Sequence, residues 1–299
     1  MSVSITDFGK LTTGQPVQLV TLKNDKIEVQ LLTYAAIIHR IIVPDRKGSP
    51  TDVVLGYPTA RDYELNTDSM GAAVGRFANR IGGAQFPLYE EIVHVTPNSA
   101  GNCLHSGLHG FNHALFTAEV TRGETDSVTM TAHSPAGTDG FPGNFDLEIQ
   151  YSLVKEGLMI RYSATTDAPT VCNMTNHSYF NLNGHGSGSA LGHRISVDAD
   201  AYLEADENSV PTGRKLPVKG TPMDFTEEKT PRSGHQRRLP CSGAGQRLRP
   251  VLHHPGQRPA PRRLGYRPRD RHSHGGADHP ARHALVHRQL SCTPDSLQG

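Results

Sequence analysis

Three short stretches of this chain set imidazoles, guanidinium groups and carboxamides beside glycines. They are Gly75-Arg76-Phe77-Ala78-Asn79-Arg80-Ile81, Asn102-Cys103-Leu104-His105-Ser106-Gly107-Leu108-His109-Gly110-Phe111, and Asn176-His177-Ser178-Tyr179-Phe180-Asn181-Leu182 running into Asn183-Gly184-His185-Gly186. Histidine is the side chain whose unperturbed pKa lets it give or take a proton near neutral pH. Glycines let a ligand and the backbone approach closely. The chemistry on offer is proton transfer to or from a bound ligand. A plainer reading stands beside each: His177 as an incidental histidine of a half-buried strand, His105 as a loop cap, Arg80 as partner of a surface carboxylate.

Positioning these groups falls to strands. The stretch from Asn176 to Leu182 is β-prone and closed by glycines, so it reads as a strand entering a loop. Alternate residues of a strand share a face, which sends His177 and Tyr179 one way and Ser178, Phe180 and Leu182 the other. Phe180 and Leu182 are expected to pack into a core and hold His177 over a cleft. Elsewhere the alternation recurs at 17–22, 26–32, 36–43, 52–56, 91–95, 127–131, 145–153, 158–163 and 194–197. Turn chemistry falls at Lys23-Asn24-Asp25 and from Pro44 to Pro50, where the preceding strand is expected to stop. Short alternating strands with Gly, Pro and Asn between them predict an all-β sandwich or barrel with few helices. No nucleotide-binding glycine motif, P-loop or G-x-S-x-G elbow is present.

The 299 residues carry a formal charge of +1, which hides two unlike parts. Residues 1–230 hold 17 Lys+Arg against 26 Asp+Glu, whereas 231–299 hold 13 Arg, no Lys and 3 Asp. The N-terminus shows no secretory pattern and no run of about 18 apolar residues exists, so neither export nor a membrane span is expected. The four cysteines (Cys103, Cys172, Cys241, Cys292) are widely spaced. That spacing argues against a disulfide framework or a structural zinc site, and fits a reducing cytoplasm.

The β pattern stops near Lys229. Residues 231–299 contain 9 Pro and 8 His but no Ile, Phe, Met, Asn, Glu or Lys, a composition that can bury little core. The domain expectation is therefore a β-sandwich over 1–230 and an atypical, disordered tail over 231–299. A basic nucleic-acid tail is one reading of that composition, but the arginines follow no motif and no aromatics interleave them, so no nucleic-acid partner is expected. The preferred reading is a frame slip near residues 228–232, since Arg, Pro, Ala, Gly and His are what a GC-rich gene yields out of frame.

Taken together, the motifs resemble the aldose 1-epimerase (galactose mutarotase) family. The match runs in order through Val53-Val54-Leu55-Gly56, the 75–81 stretch, Asn102 to His105 with Gly110-Phe111, the 176–182 stretch, Pro211-Thr212-Gly213 and Thr221-Pro222-Met223-Asp224-Phe225. It covers about residues 10–228. The resemblance implies a large antiparallel β-sandwich with a hexose in a groove on one sheet, and interconversion of α and β anomers without a metal or organic cofactor. One group takes the C1 hydroxyl proton while an acid protonates the ring oxygen. By motif position His177 is the acid, His105 hydrogen-bonds the ring oxygen or a neighbouring hydroxyl, and Asn79 and Arg80 bind hydroxyls, the arginine as a fixed fork of donors. Arg76 is expected to be structural, and His109, His113 and His185 to be loop residues.

The departures are instructive. Ser106 stands where the family usually has glycine, and Phe116 where tryptophan is common. The family draws its glutamate base and a sugar-binding aspartate from C-terminal strands, yet 231–299 contain no glutamate, and Asp270, Asp278 and Asp295 match no motif. No general base is assigned, and impaired activity is expected. The alternatives are a non-catalytic sugar-binding module and a hexose-phosphate epimerase, which would need extra basic residues. Resequencing the gene around codon 230 tests the frame slip: a shifted frame should continue the alternating β pattern, and frames that yield none would rule it out.

Overall fold

The computed structural model describes residues 2–65, 68–123, 126–154 and 157–231, and the backbone of 282–288. By their contacts they form two compact units, one of residues 1–190 with 281–299 and one of 191–280.

The first unit opens with an antiparallel sheet of five strands in chain order: β1 (Ser2–Lys10), β2 (Pro16–Lys23), β3 (Glu28–Leu32), β4 (Ile37–Pro44) and β5 (Pro50–Asp52). Asn24 closes the β2–β3 turn by accepting the amide protons of Lys26 and Ile27 at 2.9 and 2.8 Å. β4 runs through Pro44, which pairs with Pro50, so the strand ends one residue later than the turn signal implied. Proline is tolerated at such a strand end because it forgoes a ladder donor there. A short α-helix, α1 (Ala60–Glu64), follows, capped by the Thr59 hydroxyl accepting the Asp62 amide proton.

Short paired segments then build the region that carries the polar motifs. They are β6 (Ala73–Val74), β7 (Arg80–Ile81), β8 (Gln85–Leu88), β9 (Glu91–His94) and β10 (Cys103–Leu104). A second antiparallel sheet comprises β11 (Thr117–Thr121), β12 (Ser127–Ser134), β13 (Phe145–Val154) and β14 (Gly157–Thr166). The two-residue β15 (Thr175–Asn176) returns to pair with β6. In the second unit β16 (Ala201–Ala205) pairs with β17 (Pro211–Pro217), and Ile195 bridges Lys229 in place of the expected strand at 194–197. Finally β18 (Arg282–Arg288) lies antiparallel to β14. Other than Pro231 and this strand, the expectations for 231–299 lie outside the described residues. β18 spans Ala284, Leu285 and Val286, an apolar run within that arginine-rich segment.

Alternation explains the core. On β13, Phe145, Leu147, Ile149, Tyr151 and Leu153 are buried while Asp146 and Glu148 face solvent. They pack with Val20, Leu22, Val29, Leu31 and Ile38 of the first sheet in one cluster. The Tyr151 hydroxyl crosses the sandwich to donate to the Ala36 carbonyl at 2.9 Å, giving its buried polar tip a partner. The first sheet is covered on its other face too, where Val17, Leu32 and Ile37 pack against Ala60 and Tyr63 of α1. Among the described residues no helix is long and apolar enough to cross a membrane.

Two register shifts aim side chains at each other. An extra residue in β1, Phe8, and one in β4, His39, interrupt their ladders. Their rings meet edge-to-face at 4.9 Å, and the Tyr63 hydroxyl lies 2.8 Å from His39 Nδ1. Burial holds the His39 pKa down to about 4, helped by the neighbouring charge of Arg40. It raises that of Tyr63 well above the ordinary phenol range, so the phenol is the donor to a neutral ring.

This arrangement sets a pH dependence. The unfolded chain protonates His39 near 6.5 and the folded one near 4. Its contribution is therefore intact above 6.5 and lost as pH falls towards 4, a loss on the order of 3 kcal/mol at most. Urea unfolding followed from pH 7 to 4.5 should show declining stability, and His39→Gln should flatten the decline. Parallel slopes for the two proteins would contradict the assignment.

Candidate active site

The three polar motifs meet through main-chain hydrogen bonds. β15 pairs with β6, and the contact continues as His177 N–H donates to Ala72 O at 2.9 Å and Gly71 N–H to His177 O at 3.1 Å. The chain then changes neighbours. Leu55 N–H donates to Tyr179 O and Asn181 N–H to Val53 O, both at 2.9 Å. Residues 53–56 and 177–182 are thus joined by a Val54–Phe180 bridge rather than forming regular strands. Phe180 and Leu182 are each 40 % exposed, which corrects the expectation that they anchor the segment in a core. The physical reason is the change of partner, which breaks the pleat that would have turned both side chains inward. The buried residue is Asn181, 2 % exposed, whose amide donates to Gly188 O at 3.0 Å and accepts from Asn183 N–H at 3.2 Å. Asn176 steadies the entry, donating to Gly71 O at 2.8 Å and accepting from the Ser178 amide and hydroxyl.

β7 and β10 join the other two motifs by pairing Ile81 with Cys103 and Arg80 with Leu104. Beyond the ladder, His105 N–H donates to Asn79 O at 3.0 Å, and Asn79 N–H returns a bond to His105 Nδ1 at 3.1 Å. A nitrogen that accepts an amide proton carries none itself, so the neutral ring bears its hydrogen on Nε2. The His105 ring stands edge-on to His177, centroids 5.4 Å apart at 78°. His177 in turn packs against Tyr179 at 5.2 Å, the shared face that alternation required. Arg80 Nη1 lies 3.4 Å from Asn79 Oδ1. All four expected site residues, His177, His105, Asn79 and Arg80, are half-buried and linked through these contacts.

The loop bearing His105 is conformationally costly. His105, Ser106 and Gly107 have φ of 55, 72 and 90°, a left-handed run that glycine alone adopts freely. Ser106 is buried, and its hydroxyl accepts from Phe77 N–H at 2.7 Å and donates to Phe77 O at 3.3 Å. The departure from glycine thus carries its own tie between two motifs. Gly110 is required by close approach, since a Cβ there would lie 2.5 Å from His105 O. Asp139, buried, accepts the His109 amide proton at 2.7 Å.

Arg76 behaves as the sequence implied. It is 2 % exposed and donates to the carbonyls of Ser134, Pro135, Pro142 and Gly143 and to the Ser134 hydroxyl. Its guanidinium lies 5.2 Å from the Phe145 ring centroid. Burial lowers its pKa to about 10, which leaves it charged at neutral pH. His113 is held below its usual range by burial, and His185 Nδ1 contacts Val54 O at 2.9 Å. Among the described residues no group of three or more His, Cys, Asp or Glu side chains is placed to hold a metal ion. Sequence reasoning missed the bracing roles of Ser106, Asn181 and Asp139. Only at Ser106, where glycine was expected, did the sequence carry a signal.

A β-sandwich thus brings two imidazoles together beside a carboxamide and a guanidinium, a set of groups able to exchange protons and to hydrogen-bond. The aldose 1-epimerase family model matches residues 18–242, past the composition break at 231. The chain belongs to the aldose 1-epimerase family. It is 38% identical over 226 residues to mouse galactose mutarotase, covering 75% of this chain and 65% of the relative. It is 34% identical over 218 residues to Escherichia coli K12 aldose 1-epimerase, covering 72% and 62%. The chain thus spans less than two thirds of these relatives. Among solved structures, galactose 1-epimerase from Lactobacillus acidophilus NCFM superposes with TM-score 0.69 at 27% identity, covering 77% of this chain and 67% of that one. An aldose epimerase homologue from C. elegans gives 0.67 at 30%, covering 72% and 66%.

The Ser106 geometry separates two substitutions. Both Ser106→Ala and Ser106→Gly leave the Phe77 amide without its acceptor, at about 1–3 kcal/mol. Glycine also relieves the left-handed strain, worth roughly 1–2 kcal/mol. Urea denaturation should therefore rank Ser106→Gly above Ser106→Ala. An alanine variant as stable as the glycine one would refute the strain argument.

Proposed function

We propose that the groove binds a free hexose such as glucose or galactose, and that the chain carries the acid side of an aldose 1-epimerase reaction. His177 donates a proton to the ring oxygen as the C1–O5 bond breaks. The C1 hydroxyl loses its proton to a base, leaving a carbonyl at C1. Rotation about C1–C2 and closure on the other face give the other anomer, with the protons returned. His105 offers its Nε2 hydrogen to the ring oxygen or an adjacent hydroxyl, and Asn79 and Arg80 hold further hydroxyls. The observation that supports this reading most directly is the 5.4 Å edge-on pairing of His105 with His177, with His105 tied to Asn79.

The base is left unassigned. Residues 231–299 hold no glutamate. Lacking one proton carrier costs ~10²–10⁴-fold in rate. The chain as it stands therefore binds hexose but turns it over slowly, which also favours a sugar-binding module as the second reading.

Polarimetry of freshly dissolved α-galactose or α-glucose should show little acceleration by this protein, while calorimetry should detect galactose binding. In a version with the reading frame restored, mutarotation should be fast, and His177→Asn should lower it by roughly 10²-fold or more with folding unchanged. A fast rate from the chain as it stands would overturn the missing-base argument. Absence of any sugar binding would overturn the hexose reading.

A further inference from the structure

We propose that Asn98 is a positioning residue for His105, fixing which ring nitrogen of that histidine carries the hydrogen. Asn98 lies in the segment after β9, outside all three polar motifs, and is exposed to solvent. Its carboxamide is nonetheless fully committed. Nδ2 donates to Leu104 O and to Gly107 O, each at 2.9 Å, and Oδ1 accepts from Leu104 N–H at 2.6 Å. Those three bonds fall on the residues that flank His105 and Ser106. Its main chain is also tied in, Asn98 N–H donating to Asn102 O at 3.0 Å.

The bracketed pair is the part of the loop least able to hold its own shape. His105 and Ser106 both sit at positive φ, and such conformations persist only where the surroundings over-determine them. The Asn98 amide supplies that constraint on one side and the Ser106 hydroxyl on the other. With Leu104 and Gly107 pinned, His105 Nδ1 is held at 3.1 Å from the Asn79 amide proton, and the ring keeps its hydrogen on Nε2. Without Asn98, residues 104–107 can relax towards ordinary backbone angles. The Asn79 bond then lengthens and either ring nitrogen can carry the hydrogen.

The consequence for ligand binding rests on the hexose reading of the groove, whereas the consequence for the ring does not. Long-range ¹H–¹⁵N correlation spectra distinguish protonated from unprotonated imidazole nitrogens, and should show His105 of the wild-type protein as a single Nε2–H form. Asn98→Ala should give a mixture of the two forms and roughly tenfold weaker galactose binding by calorimetry. Asn98→Asp, which keeps the acceptor for Leu104 N–H but loses both donors, should do the same and provides the readout if the alanine variant fails to fold. Asn24→Ala, which removes two comparable side-chain bonds at the β2–β3 turn, is the control. It should lower thermal stability with His105 and galactose affinity unchanged. A folded Asn98 variant that melts earlier yet keeps wild-type His105 spectra would overturn the proposal. Failure of the wild-type protein to bind galactose would overturn the hexose reading alone, leaving the spectra to judge Asn98.

Discussion

The amide proton of Asn79, held against Nδ1 of His105, is the contact on which the rest of the site depends. It settles which nitrogen of the ring accepts. A carboxylate partner would have favoured imidazolium. A backbone donor does the opposite, because a protonated Nδ1 would face another N–H. The Nε2–H of that ring is thereby left to donate, with the His177 ring edge-on 5.4 Å away.

That contact is costly to build, and much of the first unit serves it. The sandwich core makes β6 and the segment before it rigid, with Ala72, Ala73 and Val74 almost wholly buried. Main-chain bonds then pass this rigidity to His177 on one side, and through Arg76 and Asn173 to Ala78 and Asn79 on the other. The remaining strain lies in the 105–107 turn, where side chains rather than sheet ladders supply the restraint. Hydroxyl and carboxamide groups are suited to it because they can satisfy backbone donors and acceptors where no strand pairing is available.

The sandwich was legible where both faces of a strand had different solvents. Phe145 to Val154 alternates without a break, and its burial follows residue by residue. The reading weakened wherever a side chain's direction was set by something other than pleat. Phe8 and His39 are extra residues at register shifts, and nothing in their neighbours' hydropathy marks them. Phe180 looks like a core residue in any window, yet its segment exchanges hydrogen-bond partners there. The candidate site was legible as a set of residues because its motifs are family motifs. Its supports were not, since an asparagine in a polar turn looks the same whether its amide meets water or clasps two strands of a loop.

Arg76 has a mechanical consequence. Its guanidinium forks into four carbonyls of the excursion between β12 and β13, and its flat face rests near Phe145. That excursion also contains Asp139, which grips the far end of the histidine turn. The turn is therefore moored to the excursion directly through Asp139 and indirectly through the Arg76 stretch and the Asn79–His105 bonds, and displacement of the 134–143 excursion must carry the imidazole with it. Thermal excursions of the two are expected in unison, so the imidazole keeps its place relative to the 134–143 excursion as that segment fluctuates.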